Sequence, residues 1–202
     1  MTNFGEDYFR GFLPPRSELL QELEEVARSE RIPIVGPVVG ELLFILARAM
    51  GAQAILELGP AIGYSTIYLA QAVVPHGRVL AVEMDPVMAT RARKHLHRAS
   101  LAANVEIKVG LAQEVLTTLT GPYDLIFMDI DKEGYQPALE PCLRLLRLGG
   151  LLVTDNTSFA GAASFNQALA ADRRWRSVNL FAFLPQHSPE HDGLALAVKM
   201  AD

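Results

Sequence analysis

The stretch Ala54-Ile-Leu-Glu-Leu-Gly-Pro-Ala-Ile-Gly-Tyr-Ser65 constrains the fold most. An apolar run closes on a carboxylate and is followed by two glycines. Ile55, Leu56 and Leu58 predict a buried parallel strand. Gly59 and Gly63 open a tight turn, and Ser65 is placed to cap the next helix. Glu57 and the turn backbone then stand at the carboxyl end of a strand. Open α/β sheets bind nucleotide-like ligands there.

The chain of 202 residues fits one domain, and its 50% hydrophobic content is enough for a large core. A formal net charge of -5 gives no long-range attraction to nucleic acid. Two basic clusters, Arg91 to Arg98 and Arg173-Arg174-Trp175-Arg176, offer contacts to phosphates but read as a solvated helix face and a loop. Cys142 is the only cysteine, so no internal disulfide and no cysteine metal site is expected; in its apolar stretch it reads as a packed side chain. The start, Met1 to Asp7, lacks a leader pattern. The longest apolar region, Val35 to Leu58, is interrupted by Glu41, Arg48 and Glu57, so no membrane span is expected and a cytoplasmic setting follows.

Residues 17–30 read as a helix capped by Ser17, with Leu19, Leu20, Leu23 and Val26 on one face. A second helix starts at Gly36-Pro37 and runs to about Met50. Strands are then predicted at 54–58, 78–83, 105–109, 124–128 and 150–154, with helices at 65–74, 86–99, 111–119 and 135–147 between them. That alternation requires a parallel sheet covered on both faces. A helix near 161–171 leads to strands near 178–184 and 193–199, joined by the loop Pro185 to Asp192 and therefore antiparallel. The expected architecture is a single α/β, Rossmann-like domain: a helical segment over 1–50, then a mostly parallel seven-stranded sheet over 51–202 with a C-terminal antiparallel hairpin. This outline resembles the S-adenosylmethionine-dependent methyltransferase fold.

A dinucleotide site wants Gly-x-Gly-x-x-Gly so that backbone can approach a pyrophosphate. Here Gly59 and Gly63 are separated by three residues, and Pro60 lacks an N–H that a phosphate would need. S-adenosylmethionine has no phosphate. Glu57 suits its ammonium and sulfonium, and helix N–H groups near Ser65 suit its carboxylate. Glu83 lies 20 residues beyond Gly63, the offset at which an acid takes ribose hydroxyls, although nicotinamide folds use it too and an exposed strand end is the alternative. Gly110-Leu111-Ala112 offers small residues and backbone for adenine.

The fourth strand ends in Asp129-Ile-Asp131-Lys132 and the fifth in Asp155-Asn156. Neighbouring parallel strands bring these groups together at one edge. Clustered carboxylates repel unless neutralised, and oxygen-only ligands favour Mg²⁺, Ca²⁺ or Mn²⁺ over zinc. The alternative is that they merely start loops, as Asp and Asn often do.

At this point the sequence resembles the cation-dependent O-methyltransferases, the group of catechol O-methyltransferase and caffeoyl-CoA O-methyltransferase. The similarity runs from about Ile32 to Lys199 and is carried by Glu57 to Ser65, Phe127 to Lys132 with Tyr135, Gly149 to Thr157, and Asp192-Gly-Leu194. The resemblance implies that Asp129, Asp155 and Asn156 hold a Mg²⁺-like ion. It implies that Glu57, Ser65, Glu83, Ala112 and Asp131 line the S-adenosylmethionine site with Val35 at its edge, alongside the Gly59 and Gly63 turn. Lys132 falls at the catalytic lysine position, where a proton could pass from a substrate hydroxyl acidified by an ion on Asp129. It also implies a homodimer. Without the resemblance Lys132 would read as a surface lysine.

Several positions depart from the pattern. Phe159-Ala160 stand where the family often has Trp-Asn, the acceptor loop is shortened at Gly161, and Val38-Val39-Gly40-Glu41 replaces an Asp-Glu-Gly-Gln run. A coenzyme A thioester acceptor is therefore not supported. His187 and His191 are four apart, but Pro189 opposes a helix that would align them, so both are read as exposed loop residues. The expected function is a divalent-cation-dependent O-methyltransferase acting on a small, catechol-like hydroxylated acceptor. A weak or inactive S-adenosylmethionine-binding protein of the same fold is the alternative. An N-methyltransferase ranks lower, for want of an Asn/Asp-Pro-Pro-aromatic signature, and a nicotinamide dehydrogenase lower still.

Overall fold

The computed structural model describes residues 4–202, so part of the predicted N-terminal helical segment and of the stretch read for a leader lies outside the described residues. Three helices, α1 (Glu6–Arg10), α2 (Glu18–Glu30) and α3 (Gly36–Ala49), precede the first strand, β1 (Ala54–Leu58). Then come α4 (Tyr64–Ala72), β2 (Arg78–Glu83), α5 (Pro86–Arg98), β3 (Val105–Val109), α6 (Ala112–Thr118) and β4 (Tyr123–Met128). The chain ends with α7 (Tyr135–Leu145), β5 (Leu146–Thr154), α8 (Ala163–Ala171), β6 (Trp175–Phe183) and β7 (His191–Lys199).

The seven strands lie in the order β3-β2-β1-β4-β5-β7-β6. The first five are parallel to one another, and β7 runs antiparallel to both β5 and β6. This is the expected doubly covered sheet with its terminal hairpin. The order reverses at β1, which pairs with β2 on one side and β4 on the other. Loops leaving the two halves diverge there and open a crevice at the carboxyl edge.

Alternation along β1 explains the two cores. Ile55 packs with Leu23, Leu43, Ile67 and Phe127 on the face covered by α2 to α5. Leu56 and Leu58 point the other way, toward Met128, Tyr135, Cys142 and Phe165. Full burial of each such side chain contributes roughly 1.5–3 kcal/mol. Cys142 is buried in this second core, as expected of a packed thiol, and burial pushes it up to about 12.

Several boundaries shift for identifiable reasons. The helix predicted to reach 147 stops at Leu145, and β5 begins at once. Arg147 bonds Asp124 at 2.7 Å and Leu146 pairs with Tyr123, which draws the segment into the sheet. The strand predicted from 178 begins at Trp175, whose buried ring sits opposite Lys199. Ser17 caps α2 through its hydroxyl, as expected.

The basic clusters are engaged by neighbouring acids. Arg91 pairs with Glu30 at 2.6 Å, Arg98 with Glu22 at 2.5 Å, and Arg174 with Asp172 and Glu140 at 2.8 and 2.7 Å. His95, within the first cluster, is buried with Nδ1 2.8 Å from the Ile62 carbonyl oxygen. Among the described residues no helix is long and apolar enough to cross a membrane.

Candidate active site

The turn after β1 forms the floor of the crevice. Gly59 adopts φ +90°, and a Cβ there would meet the Asp129 carbonyl oxygen at 1.9 Å. The glycine therefore lets the turn press against the tip of β4. Gly63, at φ +88°, occupies the cap position of α4. Ser65 does not cap that helix. It lies in the first turn and donates its hydroxyl to Glu57 Oε1 at 2.5 Å.

Glu57 is fully buried, and its second oxygen, Oε2, has no hydrogen-bond partner. Burial pushes its carboxyl up to about 7, against the pull of the Ser65 hydroxyl. A carboxylate so placed suits an ammonium group, because the charge that costs most to bury is the one a cation would offset. The raised value also fixes a pH dependence. Because the folded chain holds this proton more tightly than the unfolded one, its contribution favours folding at low pH. That contribution is lost as pH rises from about 4.5 through about 7. Glu57→Gln should flatten this part of the profile, gaining on the order of 3 kcal/mol relative to wild type at pH 8 over pH 4. Urea unfolding of both proteins across that range checks it, and parallel profiles would refute it.

Glu83 is not an exposed strand end. It is buried, with Oε2 accepting from the Ala61 N–H and Oε1 from the Asp85 N–H, both at 2.9 Å. It ties the turn after β1 to the end of β2. Beside it lies a cavity of about 310 Å³. Of the residues assigned to the cofactor, Gly59, Glu83, Ala112 and Asp131 line this cavity. Val35, Glu57 and Ser65 are buried and, like Gly63, do not line it.

One end of the cavity is polar and consists of the tips of β4 and β5. Met128 pairs with Thr154, so Asp129 and Asp155 leave adjacent strands side by side. Lys132 Nζ donates to Asn156 Oδ1 at 2.8 Å, to Asp129 Oδ1 at 3.4 Å and to the Ile130 carbonyl at 3.1 Å. One ammonium thus serves two of the three oxygens assigned to the ion. Asp129 is pushed up to about 6 by removal from water and by the charge of Asp155, with Lys132 opposing.

Residues beyond the assigned set complete this end. Tyr135 lies 3.0 Å from Lys132 Nζ and donates its hydroxyl to the Asp155 carbonyl at 2.9 Å. Asn156 adopts φ +49°, a conformation that Asn tolerates better than most residues. Its Nδ2 donates to Asp192 Oδ2 at 2.5 Å, and the other oxygen of Asp192 accepts from the Ser158 hydroxyl and, at 2.6 Å, from the Gly193 N–H. The shortened loop packs here too: Phe159 lies beside Lys132, its ring centroid 5.9 Å from Nζ, and is 45% exposed at the mouth.

His187 overturns its reading as an exposed loop residue. The loop between β6 and β7 folds inward, and the imidazole is buried against Asp155. His191 opens β7 and is exposed, 2.9 Å from Glu6. Asp155, His187 and Asp192 are, among the described residues, the one such group whose ligand atoms all lie within 4.8 Å of one another. Asp129 stands outside that group, connected to it through Lys132 and Asn156. A second cavity, about 570 Å³, lies against the same loop, lined by Arg28, Arg31, Ile34, Gln186 and His187, and it shares Pro33 with the first.

The sequence pattern of the O-methyltransferase family matches residues 14–183. The chain belongs to that family. It is 37% identical over 182 residues to a catechol O-methyltransferase of Niastella koreensis, covering 81% of each chain. To a catechol O-methyltransferase of Mycobacterium tuberculosis it is 43% identical over 123 residues, spanning 60% of this chain and 56% of that one. An O-methyltransferase of Bacillus cereus, solved in complex with SAH, superposes with a TM-score of 0.87 at 31% identity over 96% of both chains. The protein is therefore a methyltransferase, and its sheet is that of the Rossmann-like methyltransferases.

Proposed function

We propose that the protein is a divalent-cation-dependent O-methyltransferase that moves a methyl group from S-adenosylmethionine to a hydroxyl of a small, catechol-like acceptor. The observation that carries this reading is the ammonium of Lys132, held by Asp129 and Asn156 beside the cavity. Oxygens arranged to share one positive charge, with Asp155 alongside, fit a hard divalent ion. Such an ion, when bound by Asp129, Asp155 and Asn156, acidifies a coordinated hydroxyl.

The remaining work falls to side chains. Glu83 takes the cofactor's ribose, Ala112 and Asp131 border its base and sugar, and Gly59 lets its backbone approach; Glu57, buried outside the cavity lining, acts on the ammonium through its charge, and Gly63 shapes the turn behind. With a divalent ion offsetting Asp129 and Asn156 in its place, Lys132 would lose its extra proton to solvent; as the neutral amine its Nζ then takes the proton from the acceptor hydroxyl, and the oxyanion attacks the methyl carbon in line with the departing sulfur. Positioning supplies much of the acceleration. Phe159 and the second cavity offer an apolar wall and space for the acceptor ring. Being soluble, cytoplasmic and free of nucleic-acid or membrane partners belongs to the same reading. So does a homodimer, to which the exposed rings of Phe9, Phe12 and Phe181 offer apolar contacts.

The test is methyl transfer to a panel of catechols with and without EDTA. Activity should fall at least about 100-fold on chelation and return with added Mg²⁺ or Mn²⁺. Turnover that survives complete chelation would overturn the cation step. A second reading, a cofactor-binding protein with weak or no catalysis, is favoured by one feature: Lys132 and His187 already counter the acids from within. Calorimetry showing cofactor binding without turnover on any acceptor, with or without Mg²⁺, would select it.

A further inference from the structure

His187 is a buried group beside Asp155 that this chemistry leaves unused, and both of its ring nitrogens have fixed partners. Nδ1 lies 2.5 Å from the Pro189 carbonyl oxygen. A carbonyl only accepts, so Nδ1 carries a hydrogen. A neutral imidazole has one such hydrogen, which leaves a lone pair on Nε2. Yet Nε2 lies 2.8 and 3.0 Å from the two oxygens of Asp155. A lone pair facing a carboxylate is repulsive unless a positive charge stands between them, either a proton or a metal ion. One ring nitrogen anchored on a backbone carbonyl, with the other turned to a shared centre, is how metal-binding histidines are oriented.

Separations of 2.8 and 3.0 Å from Nε2 to the Asp155 oxygens suit a proton and a metal ion alike; what favours the ion is a further acid converging on the same point. Asp192 adds a third buried donor, within 4.8 Å of the other two. All three side chains are held by surrounding structure: Asp155 by the Asn156 N–H at 2.8 Å, Asp192 by Ser158 and Gly193, and His187 by Pro189.

We infer that His187 is a nitrogen ligand of the cation site, so that the ion at Asp155 has a mixed nitrogen and oxygen donor set. The inference rests on the cation dependence proposed above and adds a ligand and a metal preference to it. Imidazole suits Zn²⁺ and the later first-row ions, Co²⁺ among them, whereas Mg²⁺ prefers oxygen alone. The site therefore takes Co²⁺ or Zn²⁺ about tenfold or more tightly than Mg²⁺.

The test uses the full chain loaded with Mn²⁺ and read by pulsed electron paramagnetic resonance. The wild type should show coupling to a directly bound ¹⁴N. His187→Gln should lose it, and His191→Gln, altered at an exposed ring, should keep it. Calorimetric titration should show that His187→Gln narrows the preference for Co²⁺ over Mg²⁺ by about tenfold or more. Bound Mn²⁺ without ¹⁴N coupling in the wild type would overturn the inference and leave His187 as an imidazolium paired with Asp155, with the oxygen-ligated ion intact. Coupling that persists in His187→Gln would overturn it equally. The wild-type spectrum decides even if the variant fails to fold. If no ion binds at millimolar concentration, the cation dependence itself falls with it.

Discussion

Replacing Lys132 with methionine should lower kcat by about 10²- to 10⁴-fold, the range for loss of a positioned proton acceptor. The side chain is only partly exposed, and its Nζ reaches Asp129, Asn156, Tyr135 and the Ile130 carbonyl at once. Methionine keeps the length of the stem and removes the proton site. Lys132→Arg separates the two roles of the lysine, because it retains a positive charge against Asp129 but cannot act as a base. Both variants should therefore be slow if proton transfer is the role, whereas arginine should rescue a purely electrostatic one. Steady-state kinetics on a catechol, with a thermal melt to confirm folding, make the distinction. A methionine variant within threefold of wild type would reduce Lys132 to a counter-ion.

Gly59→Ala should cost more than about 4 kcal/mol and leave little soluble protein, which places it in the exceptional tail of single substitutions. Two effects combine: a φ of +90°, and a Cβ driven to 1.9 Å from a backbone oxygen that cannot swing aside. Gly51→Ala is the matched control. It has φ +63° but nothing within 4 Å of the added carbon, so only the conformational cost of about 1 kcal/mol remains. Urea unfolding of the two variants measures the difference. Equal losses would mean that the turn does not lie against β4 as described.

What could be read from the chain divides by the range of the interaction that decides it. The turn at Gly59 and the acids ending β4 and β5 are local signals, since each follows an apolar strand and strand order alone brings them together. Lys132 needed more: after a strand it reads as solvated, and the resemblance supplied its role. Ser65 looked like a cap because Ser favours that place, but Gly63 takes it and frees the hydroxyl for Glu57. His187 was the clearest miss. Prolines on both sides and polar neighbours describe an exposed loop, and nothing nearby says that the loop folds onto Asp155, 32 residues away. Tyr135 and Asp192 stand among the matching residues without a role, because the partners that give them one, Asp155, Asn156 and Ser158, lie in the loop after β5, distant in sequence. The one faint local hint was the apolar Leu184-Pro185 pair, which is buried as the loop turns inward.

The bond between Asn156 and Asp192 has a consequence for discrimination. The two ends of an amide are nearly equal in size and opposite in polarity, so a freely turning Asn156 would show the cavity a donor as readily as an acceptor. A carboxylate can only accept, and Asp192 claims the NH₂ end. The final strand of the sheet thereby acts as a polarity key for the tip of its neighbour: the crevice always meets oxygen there, and a neutral hydrogen-bond donor and a cation see the same unvarying face.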